Sequence, residues 1–116
     1  MLFICYPKCS TCQKAKKWLD AHQIEYTNRH IKEENPTVEE LKLWKQKSGL
    51  PLKRFFNTSG MLYRELGLKD KLETMGEEEQ YALLASDGML VKRTVLETDE
   101  TVLVGFREKE WESVIQ

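Results

Sequence analysis

Long apolar runs are missing from this chain: no segment approaches the roughly 20 apolar residues that a membrane-spanning helix requires. The first apolar run, Leu2, Phe3, Ile4, Cys5 and Tyr6, follows Met1 directly, with no basic segment before it and no small-residue cleavage site, so no secretory signal is expected. An excess of one charge is missing too. Eighteen Lys and Arg stand against 19 Asp and Glu, a formal net charge of -1, which gives no general attraction to nucleic acid or to an anionic membrane. There is no internal repeat, no low-complexity tract and no linker-like stretch. Cysteine is sparse. Three residues in a chain without an export signal suit a reducing compartment, where a cysteine pair serves catalysis or metal binding more often than it staples a fold. The expectation is a cytoplasmic protein whose 116 residues form one domain. Asn57-Thr58-Ser59 fits a glycosylation sequon, a chance match if the chain is not secreted.

What is present begins at once. The apolar run leads through Pro7 and Lys8 into Cys9-Ser10-Thr11-Cys12, and a lysine-rich helical pattern follows. Residues three apart on a helix carry Cβ atoms about 5 to 6 Å apart, which lets two cysteines at this spacing reach disulfide geometry. Ser10 and Gln13 are spaced for a capping box. Ala15, Trp18, Leu19 and His22 recur at helical period, while Lys14, Lys16, Lys17 and Asp20 take other faces. The helix is expected to end near Gln23, and residues 24–31, with Ile24, Tyr26, Thr27 and Ile31, have strand composition. A strand, helix and strand in this order favour parallel neighbours.

From Glu33 to about Asp87 the pattern is helical. Pro36-Thr37 with Glu40 opens a helix carrying Val38, Leu41 and Trp44, and Ser48-Gly49 stops it. Short helical pieces follow from Pro51 to Phe56 and through Met61, Leu62, Leu66 and Leu68. Thr74 with Glu77 matches another capping box ahead of Tyr81, Leu83 and Leu84. Residues 89–97 and 101–105 then read as strands joined at Thr98-Asp99-Glu100 as a hairpin. An amphipathic helix from Glu108 to Ile115 turns Trp111, with Val114 or Ile115, inward. The fold expected is α/β and thioredoxin-like: β-α-β, a helical insert (34–87), then β-β-α, with a mixed four-stranded sheet built from residues 1–33 and 88–116.

The chemistry expected at the cysteine pair follows from its position. A helix N-terminus and neighbouring cations lower a thiol's pKa, and Cys9 has the helix start and Lys8, Lys14, Lys16 or Lys17 to supply both. Cys9 is therefore the expected nucleophile and Cys12, one turn inside, the resolving thiol. Against this stand two plainer readings. Both cysteines could be core residues, or they could join Cys5 and His22 or His30 around zinc, which wants four ligands. Cys5 itself reads as a buried strand residue. The basic residues Lys53, Arg54, Arg64, Lys69 and Lys71 read as a solvated helical surface, with the acidic Glu77, Glu78, Glu79 and Asp87 after them.

Several separated stretches carry a family resemblance: Tyr6-Pro7-Lys8-Cys9-Ser10-Thr11-Cys12, Ile31-Lys32-Glu33-Glu34-Asn35-Pro36-Thr37, Phe55-Phe56-Asn57-Thr58-Ser59-Gly60, Tyr63-Arg64-Glu65-Leu66-Gly67-Leu68, residues 84–93 and Val104-Gly105-Phe106. Over essentially its whole length the chain resembles the arsenate reductase (ArsC)/Spx family. The resemblance implies a thioredoxin-like sheet with a helical insert. For the reductases that use glutathione and glutaredoxin it implies one attacking cysteine, at Cys9, and three arginines holding an oxyanion. Only Arg93 matches an arginine position, since Asn57 and Gly105 occupy the other two. For the Spx-like branch it implies a cysteine pair acting as a thiol switch and binding to the C-terminal domain of the RNA polymerase α subunit, with Gly49 near the contact position. Thr94 stands where the family has proline after Arg93, and a trans bond is expected there because a non-proline cis bond costs about 3 kcal/mol. The function expected is thiol-disulfide oxidoreduction by Cys9 and Cys12, with Arg93 and Lys8 stabilising thiolate or substrate. No bound cofactor or metal is expected. An external thiol system (glutathione with glutaredoxin, or thioredoxin) would donate electrons to a protein acting on a small oxidised substrate or a thiol redox partner. The alternatives are an Spx-like redox-sensing regulator and a glutaredoxin-dependent arsenate reductase.

Overall fold

The computed structural model describes residues 1–115. Strand β1 (Leu2–Cys5), helix α1 (Ser10–Ala21) and strand β2 (Thr27–His30) form the opening unit. Helices α2 (Val38–Ser48), α3 (Met61–Glu65), α4 (Leu68–Lys71) and α5 (Glu77–Ser86) follow, with short 3-10 turns between them. Strands β3 (Val95–Glu97) and β4 (Val102–Val104) and helix α6 (Glu108–Ile115) complete the described residues. The four strands form one mixed sheet in the order β2-β1-β3-β4. β1 runs parallel to β2 and antiparallel to β3, and β3 and β4 form the expected hairpin. Thr98 closes it, since its N–H donates to Thr101 O at 2.9 Å and its hydroxyl accepts from Thr101 N–H at the same distance.

Alternation along the strands sorts side chains onto two faces. Ile4, Val95, Val102 and Val104 face the helical block, where Leu41, Trp44, Phe55, Phe56, Tyr81 and Leu84 join them in one core. Phe3, Cys5, Leu96 and Leu103 face the other way and pack with Cys12, Ala15, Trp18, Leu19 and Trp111 from α1 and α6. Because β1 is covered on both sides, its residues read as a continuous apolar run. In α6 it is Trp111 that turns inward; Ile115 packs partly against the same core and Val114 is exposed.

Several local expectations are corrected. β2 is limited to the four residues that pair with β1, register Leu2 to Thr27 through Cys5 to His30, while Ile24 and Tyr26 pack beside Phe3 ahead of it. Residues 88–90 form a 3-10 turn, so β3 begins only at Val95. Gly88 fits there because its backbone lies against Ile31, whose carbonyl oxygen a Cβ would approach to 1.9 Å. Of the three capping boxes, the one at Thr37 and Glu40 forms completely. Ser10 is already inside α1, whose N-cap is Cys9, and Gln13 instead donates its side-chain N–H to Pro7 O at 3.1 Å. Thr74 ends a 3-10 turn and donates its hydroxyl to Lys71 O, leaving Gly76 as the N-cap of α5. The Arg93-Thr94 bond is cis and not trans. It lies between two long-range backbone hydrogen bonds, Lys92 N–H to Phe55 O and Gly105 N–H to Thr94 O, both 2.7 Å, and Thr94 is fully buried. These tertiary contacts fix the backbone on each side of the bond, which local preference does not anticipate.

Candidate functional site

The chain leaves β1 through a tight turn, closed by Cys9 N–H donating to Tyr6 O at 2.9 Å, and enters α1 with Cys9 in extended conformation (φ -87°, ψ 126°) at the N-cap. This position puts the half-buried Cys9 at the positive end of a 12-residue helix. Cys12, one turn on, is buried at 2% exposure. Its sulfur accepts a hydrogen bond from Tyr6 N–H at 3.3 Å. None of the three cysteines is in a disulfide.

The two thiols have opposite tendencies. Partial burial works against ionisation of Cys9, but the N–H of Cys12, the Arg93 guanidinium and the N–H of Thr11 outweigh it and hold the thiol below its ordinary value of 9.0. The Cys9 side chain makes no capping hydrogen bond as a thiol; these groups favour its ionised form. Cys12 goes the other way, pushed well above the ordinary range first by its hydrogen bond with Cys5 and then by burial. An ionisable, accessible sulfur beside a protonated, buried one suits attack followed by resolution.

Arg93 comes to Cys9 from the far end of the chain. Its guanidinium lies over the Tyr6 ring, 5.2 Å from the centroid, and one terminal nitrogen is 3.7 Å from Met89 Sδ. Its Nε is buried and has no hydrogen-bond partner, an unmet donor beside the reactive sulfur. Cys9, Thr11, Asn57, Asp87, Lys92 and Arg93 border a cavity of about 620 Å³. Asn57, at one of the expected arginine positions, therefore does reach this cavity. Gly105, at the other, borders a smaller hollow of about 260 Å³ together with Thr11, Arg54, Lys92, Arg93 and Arg107. Arg54 and Arg107 thus bring positive charge to the place where the resemblance leads one to look for a third arginine, a convergence that sequence spacing does not reveal.

The lysines proposed to assist Cys9 are placed differently. Lys8 is exposed on the turn and is not among the groups that act on Cys9 most strongly. Lys16 acts instead on Cys5, whose thiol is lowered by its hydrogen bond with Cys12, against burial, and then by the Lys16 charge. His22 is exposed and stacks on Trp18, with ring centroids 4.0 Å apart. His30 accepts the N–H groups of Lys32 and Glu33 through Nδ1. No cluster of ligands able to hold a metal ion occurs among the described residues. Gly49 ends α2 with φ +69°, a conformation that favours glycine, and a Cβ there would meet nothing within 4 Å. No helix among the described residues is long and apolar enough to cross a membrane.

The ArsC family model matches residues 5–114. A crystal structure of an ArsC family related protein from Bacteroides fragilis is 64% identical and superposes with a TM-score of 0.94, covering 97% of this chain and 94% of that one. The uncharacterized protein YusI of Bacillus subtilis is 58% identical over 97% of this chain and 95% of its own length. The regulatory protein MgsR of the same bacterium is 33% identical, over 95% of this chain and 86% of its own.

Proposed function

The chain belongs to the ArsC family, and on that premise we propose that it is a thiol-disulfide oxidoreductase in which Cys9 attacks and Cys12 resolves. The observation that carries this reading is the asymmetry of the pair: Cys9 is half-buried on the cavity with its thiol lowered, and Cys12 is buried off it with its thiol raised. Cys9 thiolate attacks one sulfur of a substrate disulfide, forming a Cys9-substrate disulfide and releasing the other half as a thiolate. Cys12 then attacks Cys9 Sγ. The second half leaves as a thiolate and takes up the Cys12 proton, and a Cys9-Cys12 disulfide remains. Two electrons have passed from the cysteine pair to the substrate, and an external thiol donor returns them, so no bound cofactor is involved. Arg93 holds negative charge on Cys9 or on the substrate. Arg54, Lys92 and Arg107 around it favour a substrate that carries an anionic group.

The test is turnover of a small acidic disulfide such as glutathione disulfide, with thioredoxin, or glutathione and glutaredoxin, as the donor. Cys9→Ser is expected to abolish turnover, and retained activity in that variant overturns the reading. The same coupled assay with arsenate is expected to give none, because Asn57 stands on the Cys9 cavity where the family resemblance places an arginine to grip the oxyanion.

A regulatory reading draws support from the 33% identity to the regulatory protein MgsR. In that case the cysteine pair is a switch, and the exposed end of α2 at Gly49 meets the C-terminal domain of the RNA polymerase α subunit. Pull-down with that domain, before and after oxidation, tests it. Binding in neither state removes it.

A further inference from the structure

The third cysteine takes no part in the reaction above, yet it lies beside the resolving one. Cys5 ends β1 on the face that meets α1, and is 5% exposed. Helix α1 brings Cys12 into the same packed core as Cys5, and the two thiols act on each other's ionisation. Cys5 and Cys12 also border a cavity of about 150 Å³ with Lys16 and Asn28, a cavity that Cys9 does not line. The surroundings of Cys5 are polar for a strand residue facing a core. As a thiol it donates its S–H to Asn28 Oδ1 at 3.6 Å, and Lys16, on the same cavity, supplies the charge that favours its thiolate. A buried cysteine that serves only packing needs neither.

We propose that Cys5 is a second resolving thiol, which takes over Cys12 after the first disulfide has formed and so moves the oxidised bond from the site mouth into the protein. This step rests on the Cys9-Cys12 chemistry proposed above. Cys5 thiolate attacks Cys12 Sγ in the Cys9-Cys12 disulfide. The Cys5-Cys12 bond forms, the Cys9-Cys12 bond breaks, and Cys9 leaves as a thiolate stabilised by the helix start and Arg93. The exchange is internal and uses no further oxidant or reductant. Its product is a protein oxidised at Cys5 and Cys12 with Cys9 free, and the reverse exchange returns the disulfide to Cys9 and Cys12, where the external donor reduces it.

The sequence makes the exchange directly readable. Trypsin cleaves after Lys8 and Lys14, so Cys5 falls in peptide 1–8 and both Cys9 and Cys12 in peptide 9–14. The full chain is oxidised with glutathione disulfide, quenched in acid, blocked with N-ethylmaleimide, digested and analysed by mass spectrometry. The expected species is peptide 1–8 joined to peptide 9–14, with the maleimide on Cys9. A closed loop within peptide 9–14 with maleimide on Cys5, or Cys5 joined to Cys9, overturns the relay. The first of these leaves the Cys9-Cys12 chemistry standing, whereas absence of any disulfide overturns both. Cys5→Ala and Cys5→Ser are each expected to lose the joined species and, with it, the maleimide on Cys9. Should either fold poorly, the wild-type map alone decides.

Discussion

The backbone N–H of Tyr6 points at the sulfur of Cys12, 3.3 Å away, so the turn that leaves the first strand is tied directly to the first helix through the resolving cysteine. The same residue offers its ring to the Arg93 guanidinium. Tyr6 therefore links the two ends of the chain at the site: its backbone holds Cys12, and its ring receives the arginine that acts on Cys9.

Arg93 lowers the Cys9 thiol by hydrogen bonding, alongside the helix amides. Arg93→Gln removes the positive charge, so the pH at which Cys9 becomes reactive moves up toward 9.0 and less thiolate is present at neutral pH. Loss of one charge-assisted hydrogen bond slows alkylation of Cys9 by iodoacetamide about tenfold at pH 7. An unchanged pH profile removes Arg93 from the site chemistry.

Gly88 holds the turn before β3 against the backbone of Ile31. A methyl group there meets main chain, which does not yield as a flexible side chain does, so Gly88→Ala is expected to cost about 3 kcal/mol of stability. Urea denaturation of the variant checks this. A loss within experimental error of zero contradicts the close approach.

Glu40 connects β2 to α2. It accepts both terminal nitrogens of Arg29, at 2.6 and 2.9 Å, and the N–H of Thr37 at 3.0 Å. The Arg29 hydrogen bonds, against some burial, hold its carboxyl below the ordinary value of 4.5. The folded value is thus the lower one, so the stability this carboxylate contributes is whole above 4.5 and is lost as pH falls through the folded value. Glu40→Gln is expected to destabilise the protein at pH 7 by about 1 to 2 kcal/mol and to flatten the acid limb of its stability profile. Equilibrium denaturation across the acid range reads both effects.

Much of this was legible in the sequence because it depends on periodicity. The run from Phe3 to Cys5, the stripe of Ala15, Trp18 and Leu19, and the Thr37-Glu40 capping box all lie where pattern alone placed them. The capping boxes that failed show what pattern omits. Ser10 and Gln13 have the right spacing, but the turn closed by Cys9 N–H starts the helix one residue earlier. Thr74 and Glu77 are likewise offset by the 3-10 turn that precedes Gly76. Local preference also misjudged the Arg93-Thr94 bond, whose neighbours are held by Phe55 and by Gly105. Cys9 and Arg93, both named from the sequence, border one cavity, and Cys12 lies buried one turn on. The nearness of Cys5 to Cys12 was not legible, because alternation along a strand tells which face a side chain takes and leaves open which helix residue it meets. For the same reason the sequence does not show that Lys16, one of four lysines that could have stood near Cys9, borders the Cys5 cavity and acts on Cys5.

The central claim is that Cys9 is an ionised nucleophile at the start of α1, and the most direct measurement is its own alkylation rate across pH. Reduced protein is pulsed with iodoacetamide at each pH and the label on Cys9 is read in peptide 9–14. A single rise with its midpoint below 9.0 is expected, with reactivity lost as pH falls through that midpoint and Cys12 unlabelled throughout the same range. A midpoint at or above 9.0, or Cys12 labelling ahead of Cys9, contradicts the claim.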